Sequence, residues 1–230
     1  MRNGVIQYFD TLPGAIDAAG NGDTVTLLKD VQVEEVISIP EDDDFVLNLG
    51  GYTLTLSGTK QVTDAQSGFS SSAALINHGA VGIENGTISF SSASSHGIVN
   101  TGSLTVASNA TISGTATEYS NTSVIANIGG TLTTAGTLES TANHGIVTYG
   151  GTVEVTGGEI TAKYTSEDGR NRGSGILIFN RGYDNNSDGA NVTISGGTID
   201  CSIYAASTNN TTSGGNDGSN LTITGGTILS

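Results

Sequence analysis

The chain has no tryptophan, one cysteine, two prolines and only seven lysines and arginines in 230 residues. With Cys201 alone, no intramolecular disulfide can form. Seven basic residues against 22 acidic ones leave a formal net charge of −15. Such a field repels polyphosphates, and no basic patch offsets it, so nucleic acid is excluded as a partner. Acidic polysaccharides are disfavoured too, unless Ca²⁺ bridges the two anions. No apolar run reaches the roughly 18–20 residues that a membrane span needs, so no membrane insertion is expected. The opening MRNGVIQYFD lacks the apolar stretch of a secretory leader. Charged residues are also scarce, so surface polarity must come from Thr, Ser and Asn. Together with 34 glycines, these residues form helices poorly and suit short strands and tight turns.

One helix is predicted, over residues 10–20 (DTLPGAIDAAG). Asp10 or Thr11 can cap it, Pro13 suits its first turn and Gly20 can end it. Leu12, Ile16 and Ala19 share a face, which would cover one open end of a repeat stack. Short strands are predicted at Thr24–Leu28, Val36–Ile39, Phe45–Leu49 and Tyr52–Leu56, with an acidic turn at Glu41–Asp44.

A Gly-Thr-Ile motif then recurs with variations. Its central residues are Ile88, Ile112, Leu138, Ile160, Ile199 and Ile228, spaced 24, 26, 22, 39 and 29 residues apart. A period in the twenties with elastic insertions is that of a solenoid. From residue 73 each repeat reads as three strands. The first ends at Asn77, Asn100, Asn127, Thr148 or Asn180. The second alternates Leu or Val with Thr, as in SLTV at Ser103 and NVTI at Asn191. The third is the Gly-Thr-Ile strand. Stacked coils would bury the apolar residues in inner columns. The corner asparagines would hydrogen-bond one to the next and occupy a left-handed bend. Thr148 interrupts that ladder. The predicted fold is therefore an all-β solenoid of residues 1–230, with a capping helix at 10–20 and initial coils over 24–72. Regular coils follow over 73–230, with insertions at 162–174, 181–190 and 207–219.

The opening AIDAAGNGDTVTLLKDV (Ala15–Val31), the step LNLGGYTLTLSG (Leu47–Gly58) and the coil VTISGGTID (Val192–Asp200) carry a resemblance. They resemble the right-handed parallel β-helix superfamily, the pectate-lyase-like fold, and more narrowly the β-helical segments of large bacterial surface proteins and adhesins. The resemblance implies an extracellular, cell-surface location with the leader removed. It also implies a non-catalytic adhesion or stalk role, with a glycan or a host or bacterial surface protein as partner. Lyases and glycoside hydrolases share the fold and form the alternative reading. An ice-binding face built on Thr-x-Thr pairs (Thr24/Thr26, Thr53/Thr55, Thr131/Thr133) is a third.

Insertions are where a solenoid can carry specificity. The late ones bring Tyr164, Asp168, Arg170, Arg172, Arg181, Tyr183 and Asp184 together in sequence, a mixture of aromatic faces and bidentate donors that suits a glycan. These are the candidate ligand-binding residues. No catalytic or metal-binding residue is assigned, and no cofactor beyond Ca²⁺ at Glu41–Asp44 is considered. His96 and His144 fall at equivalent positions two coils apart, about 9.6 Å, and read as turn histidines. His78 aligns with Thr101. Glu139, Glu159 and Asp200 are expected to face outward on third strands, with Glu139 and Glu159 two positions out of register. The chain's last residues follow directly on a Gly-Thr-Ile strand, so the C-terminal coil is expected to continue into, or be covered by, another domain or subunit.

Overall fold

Strands in which Leu, Ile or Val alternate with Thr or Ser bury one face and wet the other. Each run here meets a Gly, Asn or Ser within a few residues and must turn. The computed structural model follows that pattern and describes residues 6–64, 69–91, 95–115, 122–141, 144–163, 173–181, 189–208 and 218–229. The chain is a parallel β-helix with three strands per coil, preceded by one short helix, α1 (Leu12–Ala18).

The strands visit three sheets in turn. Sheet 1 gathers the Asn-ended strands, from Ile37–Ile39 through Ser95–Asn100 and His144–Thr148 to Ile203–Thr208. Sheet 2 gathers the Leu/Val strands, from Asp23–Thr26 through Ser103–Val106 to Asn220–Ile223. Sheet 3 gathers the Gly-Thr-Ile strands, from Val31–Val33 through Ala110–Thr115 to Thr227–Leu229. Eight strands stack in each of sheets 2 and 3, so at the usual parallel-strand spacing the rod is about 34 Å tall.

Several strands escaped the sequence reading, among them two near the start of the rod. Val31–Val33 is only three residues long and becomes a strand by pairing Val31 with Leu54 and Val33 with Leu56. Lys60–Asp64 runs antiparallel to Phe69–Asn77 beside sheet 1. The coils therefore close from residue 23 onward, with three strands in the first turn.

The inner columns are continuous. In sheet 3, Leu54, Ile88, Ile112, Leu138, Ile160 and Ile199 lie in register and are fully buried. Burying each such side chain is worth about 1.5–3 kcal/mol. One apolar cluster extends from Leu12 and Ile16 of α1 to Ile199. Thr11 caps α1, its hydroxyl accepting from the Gly14 amide at 3.3 Å, and Pro13 occupies the first turn. The helix thus covers the first coil, as its Leu12–Ile16 spacing predicts.

Sheet 1 differs from its neighbours. Its inner row, Leu75, Ile98, Ile125 and Ile146, belongs to the main core. Its outer row, Ile76, Val99 and Ala126, forms a second buried cluster with Ala73 and Ile128. A sheet covered on both faces reads as a nearly unbroken apolar run rather than an alternation. The segments GIVN, VIAN and GIVT have that character.

Candidate functional site

The insertions have a definite geography. Between sheets 2 and 3 the connection is one to four residues in every coil, as at Asn85 or Ala135–Gly136. Every longer connection enters or leaves sheet 1. The 162–174 insertion joins sheet 3 to sheet 1, and the 181–190 and 207–219 insertions join sheet 1 to sheet 2. Of the candidate ligand-binding residues, Tyr164, Asp168, Arg170, Arg172, Tyr183 and Asp184 lie outside the described residues. Arg181 ends the strand Ile176–Arg181 and pairs through its backbone position with Thr208.

The asparagine ladder is present at the end of sheet 1. Asn77 Nδ2 donates to Asn100 Oδ1 at 2.8 Å, and Asn100 Nδ2 donates to Asn127 Oδ1 at 2.7 Å. All three side chains are fully buried. Their amides also hold the following turn, Asn100 donating to Gly102 and Thr131 carbonyls and Asn127 to the Gly130 carbonyl. Ile39 precedes Asn77 in the column and has no amide to offer, which leaves Asn77 Oδ1 unpartnered.

Two expectations about this corner are corrected. The ladder residues are not in the left-handed region. Among the described residues the one non-glycine with positive φ is Asn85 (φ 58), at the tight corner between sheets 2 and 3. Nor does Asn180 rejoin the ladder, because Thr148 pairs with Ile178. A two-residue shift keeps the same faces inward, so Ile176 and Ile178 are buried (0% and 2% exposed) while the Ser174 amide, and not Ile176, meets His144.

The histidines also differ from expectation. His96 and His144 do share a column, with Ser123 between them. They are not turn residues, however. His144 begins its sheet 1 strand and His96 is the second residue of Ser95–Asn100, and both are buried, at 3% and 1% exposure. Each ring accepts a backbone amide at Nδ1, His96 from Ser123 at 3.0 Å and His144 from Ser174 at 3.1 Å. Ser123 Oγ lies 2.8 Å from the same His96 nitrogen. Burial holds the His96 imidazole down at about 3, with His144 adding to the effect, and lowers His144 to about 4. A Ser–His contact of this kind would need an exposed hydroxyl and a basic imidazole to activate a nucleophile. Ser123 is 3% exposed, and the ring's basicity is shifted the wrong way. His78, in contrast, is exposed and pairs with Thr101 Oγ1 at 2.7 Å, as the alignment predicts.

The carboxylates of sheet 3 are dispersed. Glu139 pairs with Thr161, and Thr161 with Asp200, so the two acids share an outer column but are separated by a strand. Glu159 pairs with Thr137 in the adjacent column, two positions from Glu139. Asp200 is engaged by Lys163 at 2.7 Å, and this contact raises the lysine's pKa. Glu41 and Asp42 form an exposed turn before the strand Asp44–Asn48. Among the described residues no group of three His, Cys, Asp or Glu side chains is arranged to hold a metal ion. Cys201 is buried, which pushes its thiol up to about 11 and keeps it protonated.

One surface array escaped the sequence reading. Thr53, Thr87, Thr111 and Thr137 stand in register on the outside of sheet 3, continued by Glu159, Thr198 and Thr227. The signal was there, since each threonine precedes the buried apolar residue of its Gly-Thr-Ile strand. Glu159 interrupts this column, and Glu139 and Asp200 interrupt the one beside it. A flat, uninterrupted threonine face is therefore absent from sheet 3.

No family model, curated protein or solved structure matches this chain.

Proposed function

We propose that the chain is a non-catalytic module of a bacterial surface protein, built on the right-handed, pectate-lyase-like β-helix and acting outside the cell in adhesion or as a stalk. One observation carries the reading, the confinement of every long insertion to the two corners that flank sheet 1. A rod with two smooth faces and one variable side is suited to spacing and display. The coils supply rigidity through stacking, and the loops supply contact without disturbing it. Of the candidate residues, Tyr164, Asp168, Arg170, Arg172, Tyr183 and Asp184 belong to the insertions on that side, and Arg181 ends the strand between them. A glycan or a surface protein is the class of ligand that their aromatic and bidentate groups would take.

A glycan array probed with the intact chain and with a variant lacking residues 162–174 tests this. The expected result is binding by the intact chain and its loss in the variant, with circular dichroism unchanged. Equal binding by both would remove the late loops from the reading. Release of unsaturated or reducing-end products from a polysaccharide would replace adhesion with lyase or hydrolase activity.

A further inference from the structure

The acids that interrupt the threonine columns of sheet 3 fall in its later coils. On the three strands before them, Thr53–Leu56, Gly86–Ser91 and Ala110–Thr115, every outward side chain is Thr or Ser. Thr53, Thr87 and Thr111 stand in register, and Thr55, Ser89 and Ser113 stand in register beside them. Thr137 adds a fourth member to the first column, and Glu139 closes the second. Neighbours in a column are one strand spacing apart, about 4.8 Å, and the columns are two residues apart, about 6.6 Å. All seven hydroxyl side chains are half-buried. Elsewhere on the rod such hydroxyls turn back onto the preceding coil. Ser57, Thr115 and Thr156 donate to the Val33, Phe90 and Thr134 carbonyls at 3.2–3.5 Å. The seven in this block make no such return bond among the described residues. The corner toward sheet 2 is at most four residues long, so no insertion overhangs that side.

From these observations we infer that this block of hydroxyls is a binding site for ice, separate from the insertions that flank sheet 1. A hydroxyl both donates and accepts, as a water molecule does. One such contact gains little, because it replaces a hydrogen bond to liquid water. The gains accumulate only against a ligand that repeats in two dimensions, as the block itself does. Each hydroxyl stands beside a fully buried Leu54, Ile88, Ile112 or Leu138, so the core fixes its position and little ordering remains to be done on contact. The threonine methyls neither donate nor accept, which confines bound water to the lattice of hydroxyls. A polysaccharide also presents repeating hydroxyls, but sites for it rely on aromatic faces and bidentate donors. The block holds no aromatic ring and no charged group, so it suits neither a glycan nor an ionic surface. Glu139 and Glu159 bound the site, since a carboxylate keeps a hydration shell of its own.

Uptake of the intact chain into slowly grown ice tests the inference. The expected outcome is enrichment in the ice over the remaining liquid, retained in a Thr133→Lys control on the outer face of sheet 2. The variants Ser89→Lys and Thr111→Lys, each in the middle of the block, should lose the enrichment. All three positions face outward, so the fold should survive, and circular dichroism checks that it does. The variant lacking residues 162–174 should enter ice as the intact chain does, which separates this site from the adhesion loops. Exclusion of the intact chain from ice, enrichment that survives both lysines, or its loss with the 162–174 loop would each overturn the inference. Binding to crystalline cellulose that the same two lysines abolish would assign the block to a glycan and overturn it as well.

Discussion

A histidine buried in a sheet is tolerated when its ring nitrogen accepts an amide that would otherwise lack a partner. His96 and His144 do this for Ser123 and Ser174, and the arrangement requires the neutral ring. Unfolded, each imidazole titrates near 6.5. Folded, His96 resists protonation down to about 3 and His144 down to about 4. Between these limits the unfolded chain carries more protons, so the histidines' contribution is complete above about pH 7 and declines as pH falls through 6.5 toward 4. Below the folded values the decline levels off. Urea unfolding across this range should show a shallower pH dependence in a His96→Ser/His144→Ser double variant, serine being the residue that Ser123 places in the same column. Identical slopes would mean that the rings do not govern acid sensitivity. None of this was apparent from the sequence. SHGIVN and NHGIVT resemble turns entering a strand, and only the covering of both faces of sheet 1 shows that their first residues are buried.

At the scale of the strand, packing is set by columns rather than by single coils. Phe90 is the largest side chain of its column in sheet 3, and the residue in register with it on the next strand is Gly114. Gly97, at the start of the next sheet 1 strand, faces the same ring. A Cβ at Gly97 would fall inside contact distance of the Phe90 ring. Gly97→Ala should therefore destabilise the chain by about 1–3 kcal/mol. Combining it with Phe90→Leu should recover part of that loss, a non-additivity that urea midpoints of the four species would measure. Additive losses would show that the ring moves aside freely. The strands themselves were readable because alternation and glycine punctuation are local. The Phe–Gly complementarity was not, because the partners are brought together only by stacking residues 7 and 24 positions apart.

For the whole molecule, the first coil owes its cover to a single short helix. Ile16 is 2% exposed within α1, so Ile16→Ala should cost about 2–4 kcal/mol and uncover the first coil. Leu28→Ala, at 66% exposure on the same end, should stay within about 0.5 kcal/mol. Thermal melts would separate the two, and equal effects would show that α1 is not a structural cover. This cap was legible because Thr11, Pro13 and the Leu12–Ile16 spacing are all local signals. The candidate site was legible only as a region. Insertion lengths mark where coils depart from the repeat, and the strand motif before each insertion tells which corner it leaves from.

The displaced strand Ile176–Arg181 shows how a solenoid records its own history. The shift of two residues relative to the Asn-ended motif is confined to sheet 1, since Val153 still meets Val192 and Ile160 still meets Ile199. It is also passed on, with Asn180 now opposite Ser207 and Ile178 opposite Ala205. Alignment is therefore copied from each coil to the next, as in a template. An insertion at one corner is remembered as a phase change in a single sheet, inherited by the next coil and invisible to the other two sheets.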